Sequence, residues 1–302
     1  MSPKALLPLL FVSFILLSPK AKTQDTTDIL NQLEKEMKQS EKTQTTYTTA
    51  TFKTTRLING HSVENTGKGV MDIKISHRFD EVKQGAYAFF GLDEATMRLG
   101  VDYGFTHFLM AGIGRSTYLK IFDAFIKIKL LRQSTGKKKM PVTVNYVPTI
   151  AVRTKNLPDS AANTFRSRLS WTQQLIIGRK LSEYTSVQIM PVFVHQHGYS
   201  PTSPPNNVFA VGIGGRQKIS KRMSLNAEYY YQVTDHRAAG TSNVFSLGID
   251  IETGGHVFQF HFTNTPAMNE SNFITGTTGK WQNGDIRFGF NISRVFTVSK
   301  KH

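Results

Sequence analysis

The chain has no cysteine among its 302 residues. That excludes a disulfide framework, a thiolate metal centre, a cysteine nucleophile and a lipidated cysteine anchor. It also lacks hydrophobic length. Mean hydropathy is −0.28, and past the first 21 residues no apolar run reaches the roughly 20 residues that a membrane-spanning helix needs. Acidic side chains are few, 21 Asp and Glu against 37 Lys and Arg. The basic surplus is spread through turns and polar strand faces, and Lys137, Lys138 and Lys139 form its only run. A nucleic-acid surface needs a focused basic patch with exposed stacking aromatics, so no nucleic acid is expected as a partner. No GxSxG elbow is present. Gly212-Ile-Gly-Gly215 lies inside a strand pattern, where glycine permits curvature and makes no phosphate loop.

What the sequence has is alternation. From Ala95 to Tyr103, the residues Ala95, Met97, Leu99, Val101 and Tyr103 share one face, and Thr96, Arg98, Gly100 and Asp102 the other. Strand side chains point to opposite faces in turn, so the segment has one oily and one wet side. The pattern recurs about twelve times, each run followed by a turn. The runs cover residues 70–79, 95–103, 108–114, 118–131, 142–152, 165–177, 185–195, 208–218, 223–233, 244–251, 257–264 and 285–298. Pro148 and Pro191 interrupt two of them, and bulges are expected there. Short and long connections roughly alternate, as they do between the inner turns and outer loops of a membrane barrel. Aromatics at Tyr118, Tyr146, Trp171, Tyr229, Tyr231 and Phe296 fit an interfacial girdle on the outward face. A soluble β-sandwich would place the oily face inward. An exported, cysteine-free chain with this many strands favours the reverse, oily outside and wet inside.

Residues 1–21 read as a signal peptide, with Lys4 ahead of an apolar core from Ala5 to Leu17 that is too short to anchor. Residues 22–67 read as a periplasmic arm and a plug-like extended segment. In the arm, Ile29, Leu30, Leu33 and Met37 recur at helical spacing, which predicts a short helix over Asp28–Gln39. That helix is either solvated or a dock for a periplasmic protein partner. The threonine-rich stretch from Thr43 to Thr55 leads into Arg56–Glu64, too polar for a lipid-facing strand and suited to the barrel mouth or lumen. Residues 68–302 are the barrel.

The phrases Leu57-Ile-Asn-Gly-His-Ser-Val-Glu64, Ile75-Ser-His-Arg-Phe79, Asn226-Ala-Glu-Tyr-Tyr-Tyr231, Asp250-Ile-Glu-Thr-Gly-Gly-His-Val-Phe-Gln259 and Phe288-Gly-Phe-Asn-Ile-Ser-Arg-Val-Phe296 are more specific. Together with Gly91-Leu-Asp93, Leu131-Arg-Gln-Ser-Thr135 and His261-Phe-Thr-Asn264, they resemble an uncharacterised outer-membrane β-barrel family of Bacteroidetes-type bacteria. The resemblance runs from about Phe52 to Val298. It implies a barrel in the outer membrane and no established activity, so no catalytic residues are carried over.

The expected fold is therefore all-β, a single antiparallel transmembrane β-barrel of about twelve strands with a short N-terminal periplasmic helix. Strand parity points Asp72, Lys74, Arg78, Arg98, Asp102, Asp123, Lys127, Lys129, Arg166, Arg168, Arg216, Glu228, Asp250, His261, Asp285 and Arg287 into the lumen. Buried charges persist only when paired, hydrogen-bonded or hydrated. These groups either brace the wall or, through their slight cationic excess, line a narrow pore for small polar or anionic solutes. His195 and His197, with His236 on a neighbouring loop, have a spacing that a metal clamp can use, but HxH alone is a weak signal and no cofactor is expected. An outward Ser167 beside His195 is the one trace of a lipid-acting enzyme. The expected function is a non-enzymatic outer-membrane channel, with a structural scaffold docking a periplasmic partner as the alternative.

Overall fold

The computed structural model describes residues 26–299, apart from 159–162, 198–206, 234–237 and 239. The leader and His236 fall outside these described residues. All twelve expected strands form: β1 (Val70–Glu81), β2 (Ala95–Gly104), β3 (Leu109–Ser116), β4 (Ile121–Leu131), β5 (Thr143–Arg153), β6 (Leu169–Lys180), β7 (Thr185–Gln196), β8 (Asn207–Lys218), β9 (Met223–Gln232), β10 (Val244–Thr253), β11 (His256–Thr263) and β12 (Arg287–Thr297). Each pairs antiparallel with its chain neighbour, and β12 pairs β1 to close the barrel. Closure leaves no unpaired edge. The barrel's first and last strand ends, Val70 and Thr297, lie opposite one another, and this end is called the near end below.

Alternation is obeyed around the whole wall. Leu99, Ile113, Ile126, Ile150, Ile189, Phe209, Ile213, Leu247 and Phe262 are exposed on the outside, between 43% and 65%. A closed barrel wearing an apolar coat of this size is built for lipid. At the far end the rings join edge to face and face to face. Phe79 stacks on Phe288 at 5.8 Å, His77 on Phe290 at 5.1 Å, and Trp171, Phe193 and Phe209 pack in series at 5.3 and 4.8 Å. This is the interfacial belt, though Tyr118 is not part of it: it packs half-buried against the interior cluster. No helix of the described residues is long and apolar enough to cross a membrane.

Four local expectations change. Residues 118–120 turn before β4 begins, because Leu119 and Lys120 take left-handed φ values of 52° and 49°. The run from 165 begins as a helical turn, Phe165–Arg168, whose Thr164 side chain caps the Ser167 amide at 3.2 Å. Pro148 and Pro191 make no bulge. Both strands keep register past them, Pro148 opposite Gln173 and Pro191 opposite Val211, so the cost is confined to a missing N–H. The irregularities lie instead at Lys129/Leu131 and Arg287/Gly289. Ahead of the barrel, α1 (Thr26–Thr43) leads to a three-residue strand, Thr45–Tyr47, paired with Ser134–Gly136 of the β4–β5 turn. The apolar face of α1 stays exposed, with Leu30 at 57% and Met37 at 64%.

Candidate functional site: a lumen filled from both ends

The wet interior is occupied. From the near end, residues 51–66 run up into the lumen and back, and Thr51, Phe52, Leu57, Ile58, Asn59, His61, Ser62 and Val63 are all buried. Arg56 and His61 face each other as an antiparallel bridge, and Leu57 N–H donates to the Gly60 carbonyl at 2.8 Å to close the tip of the hairpin. From the far end, the β11–β12 connection folds inward instead of outward. Its helix α2 (Glu270–Gly276) buries Phe273 and Ile274, and Phe273 meets Tyr230 edge to face at 5.0 Å.

The wall holds the hairpin by its backbone. The Glu228 carboxylate accepts three successive amides, from Ile58 at 3.3 Å, Asn59 at 2.8 Å and Gly60 at 3.2 Å, an anion seated in a concavity of N–H groups. Lys127 does the converse, donating to the carbonyls of Thr55, Ser62 and Glu64 at 2.8–3.1 Å. Arg216 reaches the carbonyls of Ala50 and Thr51 at 3.1 and 3.2 Å. Gln259, Asn291, Asn145 and Gln188 take the carbonyls of Leu57, Ile58, Val63 and His61 at 2.8–3.1 Å. Hydrogen bonds to charged groups are the stronger kind, and here they fix one path of the chain through the barrel.

The other expected lumen charges are distributed as follows. Lys74 joins Asp72, at 2.6 Å, to Asp102, and Asp102 also accepts from the Thr55 hydroxyl at 3.0 Å. Arg98 grips Asp123 with two nitrogens, its Nε at 2.9 Å. Arg78 donates to the Asn59 side chain at 2.8 Å, Asp250 accepts from Gln259 at 3.0 Å, and His261 is buried against Gly289. Lys129 is half-buried near the near end. Arg287 and Asp285 sit at the far rim, binding Glu81 at 2.9 Å and Lys83 respectively, and the Lys83 ammonium holds the Asp285 carboxyl below its ordinary range. Arg166 and Arg168 line no lumen. Both ride the helical turn before β6, where Arg166 is exposed and Arg168 donates to Asn156 at 2.8 Å. Ser167 on the same turn donates to the Thr164 carbonyl at 2.9 Å. His195 and His197 lie ring to ring at 4.8 Å, with His195 also bonded to Asn207 at 2.7 Å. Among the described residues no group of three metal-ligating side chains occurs.

Small residues make this packing possible. Gly100 and Gly114 are cross-strand partners, and a Cβ on either would strike the Arg98 guanidinium on its way to Asp123. Gly212 and Gly214 leave room for Tyr230 and Leu57, a use beyond curvature. Gly114→Ala is expected to dislodge Arg98 and lower the midpoint of urea unfolding in lipid, a loss of about 1–3 kcal/mol. An unchanged midpoint would show that the guanidinium has another route.

The two inserts meet. Arg56 of the hairpin donates to Glu270 of the inward loop at 2.8 Å, with His61 Nε2 at 3.6 Å from the same oxygen. Phe125 packs beneath, 4.4 Å from the His61 ring. Around this ion pair lies an apolar cluster that includes Leu57, Val63, Met190, Val192, Val194, Val208, Val244 and Phe273. The lumen is thus only half wet.

The Membrane bound beta barrel domain (DUF5777) family matches residues 52–296. The chain belongs to this family. The matched region includes the hairpin as well as the wall. No curated protein matches the chain. Among solved structures, the chain is similar to the NanC porin (10% identity, TM-score 0.47, covering 74% of this chain and 98% of that one). It is also similar to the KdgM porin (9%, 0.44, 74% and 99%) and to the Acinetobacter baumannii outer membrane protein Omp33 (9%, 0.41, 75% and 97%).

Arg56, His61 and Glu270 are the residues that parity missed, because none lies on a strand. Asn145, Gln188, Gln259 and Asn291 were within reach, since each is an amide at an inward position of its strand.

Proposed function

We propose that this protein is an outer-membrane channel of a Gram-negative bacterium, closed at rest by its own hairpin and opened when the hairpin withdraws toward the periplasm. The near end is then the periplasmic end, and α1, continuous with the hairpin, is the handle. The observation that supports this reading is the chemistry of the hairpin's contacts. Wall side chains hold it largely by hydrogen bonds with main-chain atoms, given by Lys127 and Arg216 and accepted by Glu228, which water can replace on withdrawal. Both inserts also bury apolar side chains, Phe52, Leu57, Ile58 and Val63 on the hairpin and Phe273 and Ile274 on the inward loop, at about 1.5–3 kcal/mol each on exposure, so the closed state is the resting one. The inward loop continues into a barrel strand at both ends, β11 and β12, whereas the hairpin continues into the wall only through β1, so the periplasmic side is the one that yields. With the hairpin withdrawn, Lys127, Arg216, Arg78 and Glu228 line the passage, a cationic excess suited to small polar or anionic solutes.

The test is planar-bilayer recording of the refolded full chain beside Glu228→Ala, which leaves three amides of the hairpin tip without their acceptor. Wild type is expected to open rarely, and the variant roughly tenfold more often, the effect of about 1.4 kcal/mol. Silence from both, with heat-modifiable mobility proving that both are folded, would overturn the channel. It would favour a static scaffold that docks a periplasmic protein through the exposed face of α1.

A further inference from the structure

Where the hairpin enters the barrel, a crevice of about 150 Å³ separates it from the β4–β5 side of the wall. Lys129, Arg132 and His107 face it from the wall side, Asn65 and threonine hydroxyls from the hairpin side. The lining donors are available. The Lys129 ammonium takes part in no salt bridge or hydrogen bond among the described residues. The buried Asn65 amide nitrogen has no partner. Arg132 packs over the Tyr47 ring at 4.7 Å and gives one Nη to the Thr48 carbonyl at 3.5 Å, which leaves its other N–H donors for a ligand. The one acid in the lining, Glu64, accepts the Thr51 and Phe52 amides through Oε1 at 2.7 and 3.2 Å, and its charge also acts on Lys129, so a bound anion competes with it for that ammonium.

A second observation points the same way. Lys137, Lys138 and Lys139 are exposed on the β4–β5 turn beside the crevice. The turn is pinned there by the Thr45–Tyr47 pairing and by the Lys137 amide on the Gln44 carbonyl at 3.0 Å. Three exposed cations on the turn whose base lines the crevice, with Lys129 and Arg132 in the lining itself, make the potential on this side positive and raise the local concentration of anions.

We propose that this crevice binds a small soluble oxyanion of phosphate size, held by Lys129, Arg132 and the Asn65 amide. A guanidinium edge and an ammonium converging on one small space match the oxygens of such an anion. Because half of the lining belongs to the hairpin, occupancy favours the seated hairpin, a consequence that rests on the gating reading above.

Inorganic phosphate is titrated into the refolded full chain at low salt, read by calorimetry and by phosphorus line broadening. The expected result is one saturable site per chain, weakened at least tenfold by Lys129→Gln and by Arg132→Gln. Lys138→Gln on the rim is expected to change affinity less than threefold while flattening its salt dependence. No saturable binding by wild type, or undiminished binding by Arg132→Gln, overturns the site. Arg132 lies outside the strands, so that variant decides the matter even if Lys129→Gln does not fold. The readout needs no conductance, so a silent bilayer leaves the site standing and a missing site leaves the channel standing.

Discussion

Arg56→Met is expected to separate the two inserts and leave the lumen unlatched. Arg56 is 6% exposed and Glu270 1%, so the substitution strands a carboxylate away from water with only His61 beside it. Removing one partner of a buried ion pair costs about 3–5 kcal/mol, most of it the burden of the orphaned charge. The structure relieves that burden by moving Glu270 toward solvent, which means withdrawing the start of α2 from the lumen. Thr275 and Gln232 then lose bonds that the inward loop now makes, Thr275 to Gln196 at 3.3 Å and Gln232 to the Ile274 carbonyl at 2.5 Å. Limited proteolysis should therefore cut both the 264–286 connection and the 48–66 hairpin at least a hundredfold faster than in wild type, as about 3 kcal/mol implies. Arg56→Met/Glu270→Gln removes both charges and should recover most of the loss, the non-additivity that marks a direct pair. Equal cleavage of Arg56→Met and wild type would mean that the inserts are held independently.

The strands could be read from the sequence because a period of two records which face each residue takes. All twelve runs became strands, and the sign of each face was right. Parity states direction and not destination, however. Glu228, Lys127 and Arg216 are at inward parity, yet nothing in their spacing said that they would meet a hairpin's amides and carbonyls. One signal was available. In β7 the outward Ile189 and Phe193 alternate with Met190, Val192 and Val194, so that strand is apolar on both faces. A strand oily on both sides is covered on both sides, and the cover here is the inward loop with Phe273. That loop reads as an ordinary long connection, and its insertion is a tertiary event. The errors at 118–120 and 165–168 have a simpler origin, in backbone turns that continue an alternating pattern by chance.

A removable crosslink between hairpin and wall should decide whether withdrawal is what opens the barrel. Val63 lies on the returning arm of the hairpin beside Gly178 of β6, and a Cβ built on Gly178 would stand 3.4 Å from the Val63 Cβ. Disulfides prefer about 3.5–4.5 Å between these atoms, so Val63→Cys/Gly178→Cys needs only a small adjustment. The natural chain has no cysteine, so the introduced pair has no competing partner. Oxidised, the pair closes a loop of about one hundred residues, worth about 4–5 kcal/mol against unfolding in the chain-entropy account. More to the point, it fixes the hairpin where Asn145 and Gln188 hold it. Combined with Glu228→Ala, the oxidised pair is expected to be silent in the bilayer, and reductant added to the same membrane should restore the openings of the single variant. Openings that persist in the oxidised state would place the gate in the inward loop, with Phe273 and Ile274 as its moving parts. The hairpin would then be a fixed lining of the passage.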